Sequence, residues 1–165
     1  MTHPSTIDPG SDFYPALHRA LAALLAGERD PIANTANMAA LIYQEMERVS
    51  WVGFYFKRAS ELVLGPFQGP PACIRIPFGE GVCGLAAQSG QSLRVGRVQD
   101  FPGHIACDAR AQSELVIPIR WAGEVVGVLD LDSHIAERFL EADQIGLASC
   151  VRLLECAVYW RLVSS

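Results

Sequence analysis

The sequence lacks the features of a membrane or secreted protein and has few basic residues. No apolar run approaches the roughly 20 residues needed to cross a bilayer, and the first twelve residues lack the charged start and apolar stretch of a signal peptide. Thirteen Lys and Arg, scattered along the chain, stand against 18 Asp and Glu, which gives a net charge of −5. Nucleic-acid binding depends on clustered Lys and Arg. We therefore expect a cytoplasmic protein with no membrane and no nucleic-acid partner.

The five cysteines include no close-spaced pair such as C-x-x-C. Structural zinc sites usually show such pairs, so we expect no bound metal. Disulfides are rare in cytosolic proteins, and an odd number of cysteines cannot pair completely within one chain. The cysteines are therefore expected to be buried or chemically reactive, and any disulfide to be transient.

The composition predicts one domain with a substantial core, because half of the 165 residues are hydrophobic and only 19% are charged. Residues 1–12 hold two prolines, a glycine and small polar residues, and predict a loose leader before a domain over 13–165. Apolar residues at spacings of three and four predict helices from Phe13 and from Asp30-Pro31. The same spacing predicts a last helix whose stripe continues to Leu162.

The middle of the chain predicts strands, a helix and a long loop. Five short apolar segments read as strands: 51–57, 61–65, 72–77, 114–119 and 124–131. A helix is expected from Gly81 to Ser89-Gly90. Residues 99–113 show no periodicity and predict a long loop, a kind of segment that is often functional. Terminal helices around antiparallel strands predict an α+β fold, with those helices on one face of the sheet.

Strand 51–57 is apolar on both faces. Val52 and Phe54 point one way, and Trp51 and Tyr55 point the other. One interpretation is that protein covers both faces. The other is that Trp51 and Tyr55 line a ligand pocket on the second face.

Two carboxylates continue an apolar strand face at the end of segment 124–132. Asp130 and Asp132 are two apart, so they should project together with Val126 and Val128. Such a pattern is unusual for a solvated surface, although a strand end that fans its acids into water is the simpler alternative.

The register between this strand and the preceding one decides where Glu114 lies. If Arg120 pairs with Glu124, Glu114 falls directly opposite Asp130, whereas a two-residue turn places it diagonally. Three converging acids suit an ammonium group, a metal ion or proton donation. The lack of a histidine in these two strands argues against a transition metal.

The cysteines fall into two groups. Cys150 and Cys156, on the last predicted helix, are expected to be small core-filling residues. Cys73, Cys83 and Cys107 lie in the Gly- and Pro-rich middle. Thiol redox chemistry would use all three, one as the nucleophile and the others as candidates to form a disulfide with it.

The surroundings of two of these cysteines refine that expectation. Cys83 lies near a predicted helix start, where free N–H groups would favour a thiolate. Cys107 lies in the long loop, flanked by His104 and Asp108. A zinc site built from the three cysteines and His104 lacks paired spacing, and a Cys–His hydrolase pair lacks any local signature.

These segments resemble the free methionine-(R)-sulfoxide reductases, which are single GAF-type domains. The similar stretches are WVGFY at 51–55, LVLGPFQG at 62–69, ACIRIPFGEGVCG at 72–84, FPGHIACDARAQSELVIPI at 101–119 and GVLDLDS at 127–133. The similarity extends from about Phe13 to the final helix. The leader has no counterpart.

The resemblance implies a GAF fold, with terminal helices on one face of a central antiparallel sheet and the substrate pocket on the other. It implies that Cys107 is the nucleophile, and that Cys73 and Cys83 form and relay disulfides, with Cys73 the usual partner. It also implies substrate-binding roles for the aromatic residues and acids, which are Trp51, Tyr55, Glu114, Asp130 and Asp132.

The implied reaction reduces free methionine sulfoxide without a bound cofactor. An external dithiol reductant such as thioredoxin, itself reduced by NADPH and thioredoxin reductase, would restore the thiols. A homodimer through the terminal helices fits the fold. The main alternative is a GAF module that senses a small ligand, but such modules usually need an output domain, for which 165 residues leave no room.

Overall fold

The computed structural model describes residues 12–105 and 107–162. The helices are α1 (Phe13–Leu24), α2 (Pro31–Glu45), α3 (Gly81–Ser89) and α4 (Glu141–Ala157). The strands are β1 (Trp51–Arg58), β2 (Glu61–Gln68), β3 (Arg75–Pro77), β4 (Leu93–Val95), β5 (Ser113–Trp121) and β6 (Glu124–Ser133). They form an antiparallel sheet in the order β3-β2-β1-β6-β5-β4.

The sheet has a core on each face. On one face, α2 and α4 pack against the strands and α1 packs against these two helices. The buried side chains there include Leu17, Leu21, Met38, Ile42, Val52, Phe54, Leu129, Leu131, Leu147 and Val151. On the other face, α3 covers a smaller cluster that includes Trp51, Tyr55, Ile76, Val82, Cys83, Ala86, Val116 and Val128. The predicted α+β class and the placement of the terminal helices on one face are confirmed.

Local sequence signals account for three helix boundaries. Asp30 Oδ1 accepts the Ala33 N–H at 2.9 Å, and Pro31 occupies the first helical position of α2. Gly90, with a φ of +65°, ends α3 in the left-handed conformation. The N-cap position of α4 is held by Leu140 and not by a Ser, Thr or Asp. Asp143, in the first turn, reaches back and accepts the Leu140 N–H at 2.7 Å.

The predicted extent of the last helix is wrong. The α4 helix ends at Ala157, and Val158 has an extended backbone. Leu162 belongs to a separate short 3₁₀ turn, Trp160–Leu162. The apolar spacing continued past the helix because Val158 and Trp160 are buried in the same core after the chain has changed direction.

The strand predictions were right in place but not in extent. Segment 72–77 supplies only the three residues of β3, and β2 continues three residues beyond the predicted segment 61–65. Strand β4 was missed because Leu93–Val95 is too short to show alternation. Of the predicted leader, only Asp12 lies within the described residues. Among the described residues, no helix has the length and apolar character to cross a membrane.

A β-bulge sets the register between β5 and β6. Trp121 pairs with Glu124 across a two-residue turn, and the register then shifts by one residue between Ile119 and Arg120. Glu114 consequently pairs with Asp132 and lies diagonal to Asp130. The direct pairing of Glu114 with Asp130 is therefore wrong, and the diagonal arrangement is confirmed.

The same bulge moves a valine to the other face. Val126 is the extra residue of β6 and packs in the helix-side core, whereas Val128 remains on the face of Asp130. The prediction that Val126 shares that face is wrong, because a bulge reverses the side-chain alternation.

Candidate active site

A disulfide joins Cys73, in the segment before β3, to Cys107, in the loop before β5. The two Cα atoms are 5.3 Å apart, and 34 residues separate the cysteines in the chain. Both side chains are partly buried, on the sheet face opposite the terminal helices. The two loops that carry them therefore meet above the sheet.

Two adjoining cavities lie beneath this disulfide and share Cys107, Asp108, Asp130 and Asp132 in their walls. The first also contains Cys83, His104 and Glu114. The second also contains Trp51, Tyr55 and Pro70-Pro71-Ala72. Their position agrees with the predicted pocket on the second face of the sheet.

Strand order brings the aromatic residues beside the acids. Strand β6 lies between β1 and β5, so Trp51 and Glu114 both pair with Asp132 from opposite sides. Asp130 is flanked by Gly53 and Val116 in the same way. The sheet register alone thus forms a row of an indole and two carboxylates across three strands.

Two hydrogen bonds and two ring contacts fix the aromatic wall. The Trp51 indole N–H donates to the Pro70 carbonyl at 3.1 Å, and the Tyr55 hydroxyl donates to the Cys73 carbonyl at 3.0 Å. The Trp51 ring stacks on Phe67 and Tyr55, with centroid distances of 5.4 and 6.0 Å. Both side chains are held rigidly, and Tyr55 is tied to the backbone of a disulfide cysteine.

Burial strongly perturbs the acids. It raises the pKa of Glu114 to about 7, and the nearby Asp132 contributes in the same direction. It also raises the pKa values of Asp130 and Asp132 well above their usual range, with neighbouring carboxylates adding to the effect. Asp130 Oδ1 is buried with no hydrogen-bond partner among the described residues. The site is therefore built to receive a proton or a cationic group.

Cys83 and His104 both contact Glu114. The Cys83 thiol lies 3.8 Å from Oε1, and His104 Nε2 lies 3.5 Å from Oε2. Cys83 is buried and free. The prediction that the start of α3 favours its thiolate is wrong, because burial and the adjacent Asp130 and Glu114 raise the pKa of this thiol well above its usual value.

Asp108 anchors the loop that carries Cys107. It accepts hydrogen bonds from the Arg110 backbone N–H at 2.9 Å and the Arg110 guanidinium at 3.1 Å, and it contacts His134 Nε2 at 2.8 Å. These donors lower the pKa of Asp108 below its usual range. His134 follows β6 directly, so this contact ties the Cys107 loop to the strand that carries Asp130 and Asp132.

The structure places all eight predicted site residues in this region. Seven line the cavities, and Cys73 is bonded to Cys107; the eight are Trp51, Tyr55, Cys73, Cys83, Cys107, Glu114, Asp130 and Asp132. Their catalytic and binding roles stay predictions. Of the two remaining cysteines, Cys150 is buried as predicted, whereas Cys156 is exposed, so the core-filling prediction for Cys156 is wrong.

Sequence reasoning assigned no role to four further residues of the site. His104 was considered as a zinc ligand or a hydrolase partner of Cys107 but given no role, Asp108 was noticed only as a neighbour of Cys107 in the chain, and His134 was not considered. Gly53 was also missed, although a Cβ atom there would lie 2.2 Å from the Trp51 ring and 2.5 Å from Phe67 Cβ. None of these contacts leaves a periodic signal, because they depend on loop conformation and on the packing of large side chains.

Comparison with known proteins gives consistent results. The GAF domain family model matches residues 19–158. Protein YtsP of Bacillus subtilis is 52% identical over 147 residues, which is 88% of this chain and 90% of that protein. The free methionine-R-sulfoxide reductase of Escherichia coli is 46% identical over 145 residues, or 88% of each chain.

A solved structure extends the comparison. The free methionine-R-sulfoxide reductase of Neisseria meningitidis, solved in complex with its substrate, superposes with a TM-score of 0.89 at 41% identity. The match covers 95% of this chain and 94% of that one. With the family model matching most of the residues and named reductases matching nearly the whole length, the chain belongs to the GAF domain family, in the group of the free methionine-R-sulfoxide reductases.

Proposed function

We propose that this protein reduces free methionine-R-sulfoxide to methionine by thiol chemistry, with Cys107 as the nucleophile and Cys73 as the resolving thiol. One observation carries the proposal: the Cys73–Cys107 disulfide lies beside a pocket with an aromatic wall and three acids, of which Glu114 and Asp130 are buried. The activity named for relatives at 41–46% identity supports the substrate. The chemistry is assigned to residues 13–165.

The pocket's two walls suit the two ends of the substrate. Glu114, Asp130 and Asp132 can bind the α-ammonium group, which a methionine within a peptide lacks. Each charge-assisted contact contributes roughly 1.5–3 kcal/mol in an enclosed site, enough to discriminate against peptides. Trp51 and Tyr55 form an apolar surface for the methyl end. The preference for the R epimer rests on the named activity of the relatives.

The first step transfers the oxygen atom to Cys107. The Cys107 thiolate attacks the sulfoxide sulfur while a carboxylic acid donates a proton to the oxygen. The substrate gains two electrons and leaves as the thioether methionine, and Cys107 becomes a sulfenic acid. Glu114 suits the proton-donating role, because a pKa of about 7 keeps a large protonated fraction at neutral pH.

The second step forms the disulfide. The Cys73 sulfur attacks the Cys107 sulfenic sulfur, and the displaced hydroxide takes a proton and leaves as water. Cys83 is less suited to resolve first, because it is buried among carboxylates that raise the pKa of its thiol. Cys83 would then act as a relay in later thiol exchange.

The remaining parts of the proposal concern partners. A dithiol protein such as thioredoxin, supplied with electrons by NADPH through thioredoxin reductase, reduces the disulfide by exchange, and no bound cofactor takes part. The protein acts in the cytoplasm. A homodimer through the terminal helices would cover Leu24 of α1 and Ile145 of α4, which are 40% and 63% exposed.

The decisive experiment is thioredoxin-coupled NADPH consumption with free methionine-R-sulfoxide. Wild type should turn over, Cys107→Ser should not, and Cys73→Ser should release about one methionine per chain without sustained turnover. Activity that survives Cys107→Ser would move the nucleophile to another cysteine. No turnover by folded, reduced wild type would refute the reductase and favour a ligand-sensing GAF module.

A further inference from the structure

We propose that Cys83, Glu114 and Asp130 form a binding site for a divalent metal ion of the zinc class. A sulfur of Cys83 and one carboxylate oxygen each from Glu114 and Asp130 all lie within 4.8 Å of one another. The three residues come from α3, β5 and β6, so rigid elements hold them. The first disulfide cycle uses Cys73 and Cys107 and leaves the Cys83 thiol free.

One donor pair of the cluster already lies close to the spacing of a tetrahedral ion. Zinc–sulfur bonds of about 2.3 Å and zinc–oxygen or zinc–nitrogen bonds of about 2.0–2.2 Å place neighbouring donors roughly 3.3–3.6 Å apart. Cys83 Sγ lies 3.8 Å from Glu114 Oε1, and His104 Nε2 lies 3.5 Å from Glu114 Oε2. The Cys83–Glu114 pair is therefore only a few tenths of an ångström wider than bonding positions require. His104 contacts the other Glu114 oxygen and lies beside the three ligands.

An unpaired carboxylate oxygen points independently to a cation. Asp130 is only 6% exposed, and its Oδ1 has no hydrogen-bond partner among the described residues. A buried polar atom without a partner costs free energy, which a bound cation offsets.

The ligand types select the class of metal. Magnesium and calcium prefer six or more oxygen ligands, whereas a thiolate with carboxylates suits zinc or cobalt(II). Sequence reasoning had argued against a transition metal because neither strand contains a histidine. The thiol of Cys83, contributed by α3, supplies a soft ligand without any histidine.

The consequence for activity rests on the proposed function. An ion on Glu114 and Asp130 occupies the carboxylates proposed to hold the substrate's ammonium group, so Zn²⁺ should inhibit the reductase in competition with the sulfoxide. The site uses neither Cys73 nor Cys107. Binding should therefore be retained while their disulfide is intact, whereas a zinc site on reduced Cys73 or Cys107 would be lost.

A cobalt titration of the disulfide form tests binding without any activity. The background is Cys156→Ser, which removes the exposed thiol. Co²⁺ should give a near-ultraviolet thiolate-to-cobalt charge-transfer band that Zn²⁺ displaces. Cys83→Ser should abolish this band and weaken Co²⁺ binding at least about tenfold. Asp130→Asn should weaken binding by a similar factor and keep the band, because the thiolate remains.

Controls separate this site from others and from the proposed function. Glu124→Gln, an exposed acid at the far end of β6, should leave the Co²⁺ Kd unchanged, and thermal unfolding checks that each variant is folded. A band that persists in Cys83→Ser, or no thiolate band in the folded parent, overturns the metal site. Free L-methionine should compete with Co²⁺; if Co²⁺ binds without competition, the metal site stands and the ammonium placement fails.

Discussion

Gly53 lies on β1 between Trp51 and Tyr55, on the face that forms the pocket. A Cβ atom at this position would lie 2.2 Å from the Trp51 ring and 2.5 Å from Phe67 Cβ. The Trp51 indole therefore occupies the space that a side chain at position 53 would fill, and it stacks there on Phe67. The shape of the aromatic wall depends on this glycine as much as on the rings.

Gly53→Ala should displace the Trp51 indole and weaken substrate binding. We expect KM for methionine-R-sulfoxide to rise by about tenfold or more, since about 1.4 kcal/mol of lost contact corresponds to a factor of ten. The free energy of unfolding should fall by about 1–3 kcal/mol from overpacking. Steady-state kinetics and urea unfolding measure the two effects.

Val52→Ala is the matched control for this variant. Val52 is the neighbouring residue of β1, fully buried on the helix side. It should lose about 2 kcal/mol of stability with KM unchanged. An equal rise of KM in both variants would mean that the effect comes from general destabilisation and not from the indole.

Glu114 should make stability depend on pH. Burial raises its pKa from 4.5 to about 7, so the folded protein binds more protons than the unfolded chain between these values. The contribution of Glu114 to the free energy of unfolding is fully present below about pH 4.5 and is lost as the pH rises through 7. Urea unfolding from pH 4.5 to 7.5 measures the difference in free energy of unfolding between wild type and Glu114→Gln. Over this range the difference should change by an amount on the order of 3 kcal/mol.

Glu124→Gln provides the comparison, because Glu124 is exposed on the same sheet. Its stability profile should run parallel to that of wild type. If Glu114→Gln also runs parallel to wild type, the carboxyl group titrates normally in the folded protein, and its assignment as the proton donor loses its support.

The loop over 101–112 is the element on which the chemistry depends, because it carries Cys107. Asp108 ties it to His134 at the end of β6, across 26 residues of sequence. His134→Ala should lower kcat for sulfoxide reduction about tenfold, because small displacements of a reacting group have large effects on rate. Stability should change by less than about 1 kcal/mol, since His134 is 39% exposed.

Two variants distinguish positioning from other causes. His134→Asn keeps a donor for the Asp108 carboxylate and should retain most of the activity. His18→Ala, on α1 at the other side of the sheet, should behave as wild type. The anchoring role is wrong if the alanine and asparagine variants at position 134 lose kcat to the same extent.

At the scale of elements, periodic patterns were predictable and irregularities were not. The alternation in β1 and β6 correctly placed Trp51, Tyr55, Asp130 and Asp132 on one face. The bulge that sets Glu114 opposite Asp132 leaves no pattern, because one extra residue is absorbed by the local backbone. The placement of β6 beside β1 was also beyond local reasoning, since it joins segments more than 70 residues apart.

The whole molecule divides its tasks between the two faces of the sheet. The larger core lies with α1, α2 and α4, and the pocket, the disulfide and α3 lie on the other face. This division was predictable from the terminal helical stripes and from the strand that is apolar on both faces. The residues that complete the pocket from loops, among them His104, were not predictable, because loop conformation follows from contacts and not from periodicity.

Reduction of the disulfide should destabilise the protein without unfolding it. The bond closes a loop of 34 residues, and removing such a cross-link costs about 2–4 kcal/mol, because the unfolded chain gains conformational freedom. The helix-side core does not contain either cysteine, so it should keep the reduced protein folded. Urea unfolding of wild type with and without a phosphine reductant measures the difference. Cys73→Ser should show none, and Cys156→Ser should show the full wild-type difference. Equal midpoints for oxidised and reduced wild type would mean that the disulfide adds no stability, and that the two loops are held together by the pocket itself.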